Sequence, residues 1–222
     1  MISSPLQNSN LYRKRFKRIK IQMLQKSFAN AWKMSLRQSK VQTKCTLAEG
    51  IITSPVGPWK VRTCAKGLHS VKLQENVTND NFLKLGRNHV KLSHCTKKST
   101  TMVLAENWLQ MYFNGKEYPE KIPICDRVAS IKSGKFRQKV WLLLTEQVTF
   151  GQTVSYGELA KICGNPGANQ AVGSAMSNNP ISLIVPCHRV IKADGSIGNY
   201  SKATKNSIKQ WLLDFEKSRN LM

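Results

Sequence analysis

Residues Ile184 to Val190 read Ile-Val-Pro-Cys-His-Arg-Val, an apolar run that ends in a proline-fixed turn presenting a cysteine beside a histidine and an arginine. Core packing does not ask for that combination. A free thiol is mostly protonated at neutral pH, and its thiolate is the competent nucleophile. A neighbouring histidine, itself oriented by a carboxylate, is the usual way to activate it. Cys187 is therefore read as a nucleophile with His188 as its base. Cys163, inside a helical pattern, is read instead as a small buried hydrophobe.

Several elements must position that turn. Gly50 to Leu73 alternates short apolar runs with Ser-Pro, Gly-Pro and Lys-Gly punctuation, which predicts short antiparallel strands. Residues 74 to 100 show no sustained period and are expected to form a surface loop. Ala105, Trp108, Leu109 and Tyr112 recur at helical spacing up to Gly115, and Phe136, Val140, Leu144 and Val148 mark a second helix. Ser155-Tyr156-Gly157-Glu158 has the capping-box spacing and opens a helix that Gly164 ends. Asn165 is then expected to cap, and Pro166 to start, a helix carrying Ala168, Ala171, Val172, Gly173, Ser174 and Ala175. Two short helices joined by Gly-Asn-Pro-Gly make a helix-turn-helix candidate. Its second helix, built from small residues, can approach a surface closely, although such a face is more often ordinary helix packing. Ile208, Trp211, Leu212 and Phe215 mark a last helix.

A chain of 222 residues can hold one or two domains. Its net charge of +23 makes a polyanion the first partner to consider. Residues 1 to 44 hold eleven of the basic residues and no acid, which leaves +12 for the remainder. Affinity for a nucleic acid is then expected to fall steeply as salt rises. Residues 1–42, basic and rich in Ser and Gln, are read as an extension without a core of its own. They suit a nuclear-import signal, a transit peptide, a DNA-tethering arm or a solvated tail. No apolar run approaches the roughly 20 residues that span a bilayer, and no secretory leader is expected. The six cysteines are accordingly expected to be mostly reduced, and to serve metal binding or catalysis before disulfides.

Pro186-Cys187-His188-Arg189-Val190 resembles the signature of the O6-alkylguanine-DNA alkyltransferases. The similarity runs from about Ile52 to Phe215 and is weakest between Glu75 and Thr100. It includes Val154-Ser155-Tyr156, Gly164-Asn165-Pro166, Ala171-Val172-Gly173, Asn178-Asn179-Pro180 and Gly198-Asn199-Tyr200-Ser201. The resemblance implies an N-terminal α/β domain of ribonuclease-H-like type over residues 43–132. It implies a mostly α, winged-helix-like domain with the helix-turn-helix over residues 133–217, bearing the chemistry.

It also implies roles. Cys187 displaces the alkyl carbon of O6-alkylguanine, and more weakly O4-alkylthymine, activated through a water by His188, which Glu216 orients. Asn179 ties the turn to the active-site segment, and Tyr156 protonates the leaving guanine. Tyr200 and Ser201 form a lid, Gly198 contacts the substrate, the carbonyls of Cys187 and Val190 accept from the guanine amino group, and Met176 is an apolar wall. Arg137, Asn165, Ala168, Gln170, Ala171 and Asn199 contact DNA, with the helix in the minor groove and the base flipped out. Gln170 stands where the family carries an intercalating arginine, and slower repair is expected from it. Ser182 replaces a proline common in vertebrate relatives and is expected to alter the pocket rim.

Cys45, Cys64 and His69 match three ligands of a structural zinc site in vertebrate-like members. The fourth, a histidine, falls at Arg127, which cannot bind metal, and Cys125 is the nearest substitute. No cofactor is expected for catalysis. The expected partner is double-stranded DNA containing O6-alkylguanine, bound by a monomer that can be cooperative on DNA, with no membrane. The expected location is the nucleus, with the mitochondrion as the alternative. A binding-only relative would lack the reactive cysteine, whereas Cys187 is present. A helix-turn-helix regulator would need base-reading side chains on the second helix, where only Asn169 and Gln170 qualify.

Overall fold

The computed structural model describes residues 45–85, 89–115, 122–129, 134–201 and 204–220. The basic extension over residues 1–42 lies outside them. Three strands, β1 (Ala48–Thr53), β2 (Trp59–Cys64) and β3 (Gly67–Leu73), pair antiparallel as expected. The two-residue repeat of a strand turns one face inward. Ala48, Gly50 and Ile52 of β1 are buried with Trp59, Val61 and Thr63 of β2.

The expected loop over 74–100 is corrected by the structure. It contains a short helix α1 (Phe82–Leu85) and a fourth strand β4 (Lys91–Cys95), which pairs antiparallel with β1 and gives the order β3-β2-β1-β4. An edge strand has a neighbour on one side alone, and Lys-Leu-Ser-His-Cys has none of its residues fully buried, so no apolar alternation marks it. Helix α2 (Thr100–Phe113) lies over the sheet. The Ser99 side chain caps it, and Met102, Ala105, Leu109, Tyr112 and Phe113 are among its buried residues.

Beyond α3 (Asp126–Ala129), the chain is mostly helical: α4 (Gly134–Gln147), α5 (Tyr156–Ile162), α6 (Asn169–Ser177) and α7 (Asn206–Asn220). The two-residue strands β5 (Val154–Ser155) and β6 (Val190–Ile191) pair in parallel. Ser155 and Glu158 form the reciprocal capping box that the sequence predicts. The start of α6 differs from expectation: it begins at Asn169, with Ala168 in the cap position, not at Pro166. Gly167 has φ +90°, which no right-handed helix accommodates, so Asn165 to Ala168 forms a turn instead. α6 packs on α4, where Trp141 Nε1 donates to the Ala175 carbonyl at 2.8 Å.

The sheet and the helices share one apolar cluster. Polar contacts also join them. The chain after α6 lies along the free edge of β3, with Val71 N donating to Pro180 O at 3.0 Å and Ser182 N to Val71 O at 2.9 Å. Lys205 Nζ donates to Gln74 O at 2.5 Å, and Ser207 N to Asn79 Oδ1 at 2.8 Å. The turn before Cys187 is thereby fastened to the sheet.

Candidate active site

Cys187 opens a single 3₁₀ turn, Cys187–Arg189, directly after Pro186 and directly before β6. Asn179 fixes the approach to it, donating from Nδ2 to the Val185 carbonyl at 2.8 Å while Oδ1 accepts from Ile181 N at 2.9 Å. The Cys187 side chain is 6% exposed. Burial pushes its thiol up, while hydrogen bonds from Asn179 and Tyr200 and the charge of Lys209 pull it back.

His188 and Arg189 both turn onto Glu216 of α7, which is 1% exposed. Glu216 Oε1 accepts from His188 Nε2 and from Tyr112 Oη at 2.8 Å and from Arg189 Nη2 at 2.9 Å. Oε2 accepts from Arg189 Nε at 2.9 Å and from Gly151 N at 3.0 Å. Burial alone would raise this carboxyl, but Arg189 and His188 outweigh it and hold it well below the usual carboxylate range. Glu216 is therefore an acceptor at any working pH, so His188 carries its proton on Nε2. Burial lowers the His188 imidazole despite Glu216, which keeps Nδ1 unprotonated and able to accept a hydrogen bond. Nδ1 is buried and hydrogen-bonds to nothing among the described residues.

Tyr156 opens α5 beside this turn. Gly198 has φ +66°, and a Cβ there would stand 3.7 Å from Tyr156 Oη and 3.4 Å from Lys192 Cγ, so the segment runs closely over the phenol. Burial, then the neighbouring Cys187, raises the Tyr156 hydroxyl. Tyr200 is buried with its hydroxyl between Cys187 and Ser182, and its amide donates to Asn206 Oδ1 at 2.8 Å. The hydroxyl that Ser182 carries in place of a proline ring thus faces Tyr200. Ser201 is exposed, at φ +48°, and its carbonyl accepts from Thr204 Oγ1 at 2.7 Å. Leu183, at φ +68°, is the other non-glycine with positive φ among the described residues. Such backbone costs about 1–3 kcal/mol each, and both lie in segments that flank Cys187.

The Val190 carbonyl accepts from Lys209 Nζ at 2.6 Å, and the Cys187 carbonyl from Val190 N. Met176 is half-buried near the end of α6. Asn165, Gln170, Ala171 and Asn199 are exposed and Ala168 is half-buried. Arg137 of α4 reaches α6, with Nη2 at 3.5 Å from Ser174 Oγ. Arg189, Tyr112 and Lys209 are partners of the site that the sequence reading assigned no role. Lys209 lies four residues after Lys205 and seven before Glu216, on the face that also carries Leu212. Charges at helical spacing inside an apolar stripe were the signal available.

A second cluster lies at the other end of the sheet. One donor atom from each of Cys45, Cys64, His69 and Cys125 lies within 4.8 Å of the others, with Cys45 Sγ and Cys125 Sγ 3.8 Å apart. His69 Nε2 is buried with no hydrogen bond, and Lys66 N donates to Cys64 Sγ at 3.3 Å. Three sulfurs and one imidazole fit a tetrahedral zinc site.

Residues 135–218 match the family described as 6-O-methylguanine DNA methyltransferase, DNA binding domain. Over 175 residues the chain is 34% identical to a Mus musculus protein named methylated-DNA–protein-cysteine methyltransferase, covering 78% of this chain and 82% of that one. The solved structure of Mycobacterium tuberculosis O6-methylguanine methyltransferase superposes with a TM-score of 0.59 at 31% identity, covering 78% of this chain and 94% of that one. A DNA complex of the Mycobacterium tuberculosis protein gives 0.58 at 33% identity, over 77% of this chain and 95% of that one.

Proposed function

Because this chain belongs to the methylated-DNA–protein-cysteine methyltransferases, we propose that it reverses DNA alkylation by moving the alkyl group of O6-alkylguanine irreversibly onto Cys187. The observation that carries the assignment of residues is the buried His188–Glu216 pair directly after Cys187, which leaves His188 Nδ1 as a free acceptor.

The Cys187 thiol gives its proton, through a water, to His188 Nδ1. The sulfur then forms a bond to the alkyl carbon as the carbon–O6 bond breaks, and the electron pair leaves with guanine. Tyr156 Oη supplies a proton to the departing base and regains one from the pool that His188 received. The thioether has no hydrolytic exit, so each molecule turns over once. No step requires a cofactor.

A guanine O6 inside a duplex is out of reach, so the nucleotide must leave the stack, at about a few kcal/mol of lost stacking and pairing. With Cys187 nearly enclosed, the segment from Gly198 to Ser201 must yield for the base to enter. The exposed small residues of α6 suit close approach to a minor groove, with Gln170 at the position facing the vacated stack. The finer architecture proposed is a ribonuclease-H-like domain over 43–132 and a winged-helix-like domain over 133–217, acting as a monomer. Cys45, Cys64, His69 and Cys125 would hold a structural zinc, tying the start of the described chain to β2, β3 and the entry to α3.

Intact-protein mass after incubation with an O6-methylguanine duplex tests the assignment. One added methyl group is expected in the native protein and none in Cys187→Ser. A methylated Cys187→Ser protein, or duplex restored without any mass gain, would overturn it.

A further inference from the structure

We propose that Tyr112 is a positioning residue for alkyl transfer, through which the sheet-bearing part of the chain sets the proton affinity of His188 by way of Glu216. The proposal rests on the assignment of His188 as the base of Cys187.

The hydroxyl of Tyr112 reaches Glu216 Oε1 at 2.8 Å across 104 residues of sequence. That oxygen is also the acceptor for His188 Nε2. Gly151, His188 and Arg189, the other donors to Glu216, all come from the chain after α3. Tyr112 alone among these partners comes from α2, which covers the sheet.

The ring is held firmly enough to aim the hydroxyl. It stacks on Trp108 at 5.4 Å between centroids and meets Phe113, Phe150 and Phe215 at 5.0, 5.7 and 5.9 Å. A phenylalanine would satisfy that aromatic cluster equally well, as Phe113 beside it does. The hydroxyl is what packing leaves unexplained. Burial, then the charge of Glu216, raises the phenol well above its usual value, so it stays a neutral donor throughout the working range.

Three donors on one carboxylate oxygen compete for its charge. Each hydrogen bond accepted from elsewhere weakens what Oε1 offers to an imidazolium at His188. The other groups acting on His188 are Glu216 and Lys209 of α7 and Arg189 beside it, and those acting on Tyr112 also include Arg189 and Tyr200. Removing the Tyr112 hydroxyl takes a donor from Glu216 and leaves Lys209, Arg189 and Tyr200 in place. Without it, Glu216 binds the imidazolium more strongly, and His188 holds its proton to higher pH.

Single-turnover rates of methyl transfer from an O6-methylguanine duplex, measured across pH and normalised to active protein, test this in two variants. Tyr112→Phe is expected to move the acid limb up by about half a pH unit to one unit. Replacement of Tyr112 by 3-fluorotyrosine, a stronger donor of nearly the same shape, is expected to move it down. The fluorinated protein decides the matter alone if the phenylalanine variant does not fold. Limbs superimposed on the native profile, or both displaced in the same direction, overturn the proposal. A native protein that transfers no methyl group would instead overturn the assignment of Cys187 and His188.

Discussion

Lys209 carries a positive charge into the interior at 1% exposure and spends it on the Val190 and Ile197 carbonyls. Burial pushes this amine down to about 8, with Cys187 acting in the opposite direction. In an unfolded chain a lysine keeps its proton to about 10.4. Between the two values the unfolded chain binds the proton and the folded one does not, so this residue's contribution to stability rises with pH across that window. The same titration removes a charge that favours the Cys187 thiolate. Lys209→Met should therefore slow methyl transfer about tenfold near neutral pH, as about 1.4 kcal/mol of charge stabilisation is lost. Near pH 9, roughly a unit above that midpoint, the native lysine is mostly neutral and the penalty should shrink. Single-turnover rates at the two pH values decide, and an unchanged ratio would leave Lys209 a purely steric and hydrogen-bonding role. Cys187 and His188 could be read from the chain because a motif names them, and Glu216 because the family resemblance implies its role. Lys209 and Tyr112 stand in no motif: a helical lysine ordinarily reads as surface, despite its place in an apolar stripe, and a tyrosine on such a stripe reads as core.

Helix α6 shows both what local pattern reveals and where it stops. The capping box before α5 is contained in four consecutive residues, and its two reciprocal hydrogen bonds form as read, Ser155 N to Glu158 at 2.8 Å and Glu158 N to Ser155 at 3.1 Å. Pro166 is an equally good local start signal, yet Gly167 at φ +90° delays the helix to Asn169. The delay makes Gln170 the second residue of α6, exposed and close to the helix N-terminus. A glutamine there can hydrogen-bond a base edge but stacks poorly and carries no charge for phosphate. Gln170→Arg is expected to raise the rate of duplex repair by about tenfold, since stacking by a side chain on a base contributes about 1–3 kcal/mol. Transfer from free O6-benzylguanine, which needs no extrusion, should be unchanged. Equal duplex rates in the two proteins would show that position 170 does not fill the vacated stack. β4 escaped the same kind of reading because an exposed edge strand has no alternation to display.

The two halves of the chain are joined by contacts that leave no periodic trace in the sequence: β3 with the Pro180–Ser182 segment, Lys205 with Gln74, and Tyr112 with Glu216. The cysteine-histidine cluster is of the same kind, since Cys45 and Cys125 are 80 residues apart. The family resemblance offered three dispersed ligands with Cys125 as the nearest substitute for the fourth, and folding brings the sulfur of Cys125 into reach of them while Arg127 offers no ligand atom. A metal held by the folded chain and not by the unfolded one stabilises by about 2.7 kcal/mol at a hundredfold excess over its dissociation constant. For a protein of this size that amounts to about 5–11 °C in Tm, at about 2–4 °C per kcal/mol. The purified protein should hold about one zinc per chain. Stripping the metal should lower Tm by that amount or more, and Cys125→Ser should lose the zinc while Arg127→Ala keeps it. The rate of methyl transfer by the folded fraction should be untouched, because none of the four ligands contributes to the Cys187 network. Protein purified without stoichiometric metal, and unfolding at the same temperature after chelation, would make the cluster four packed side chains and nothing more.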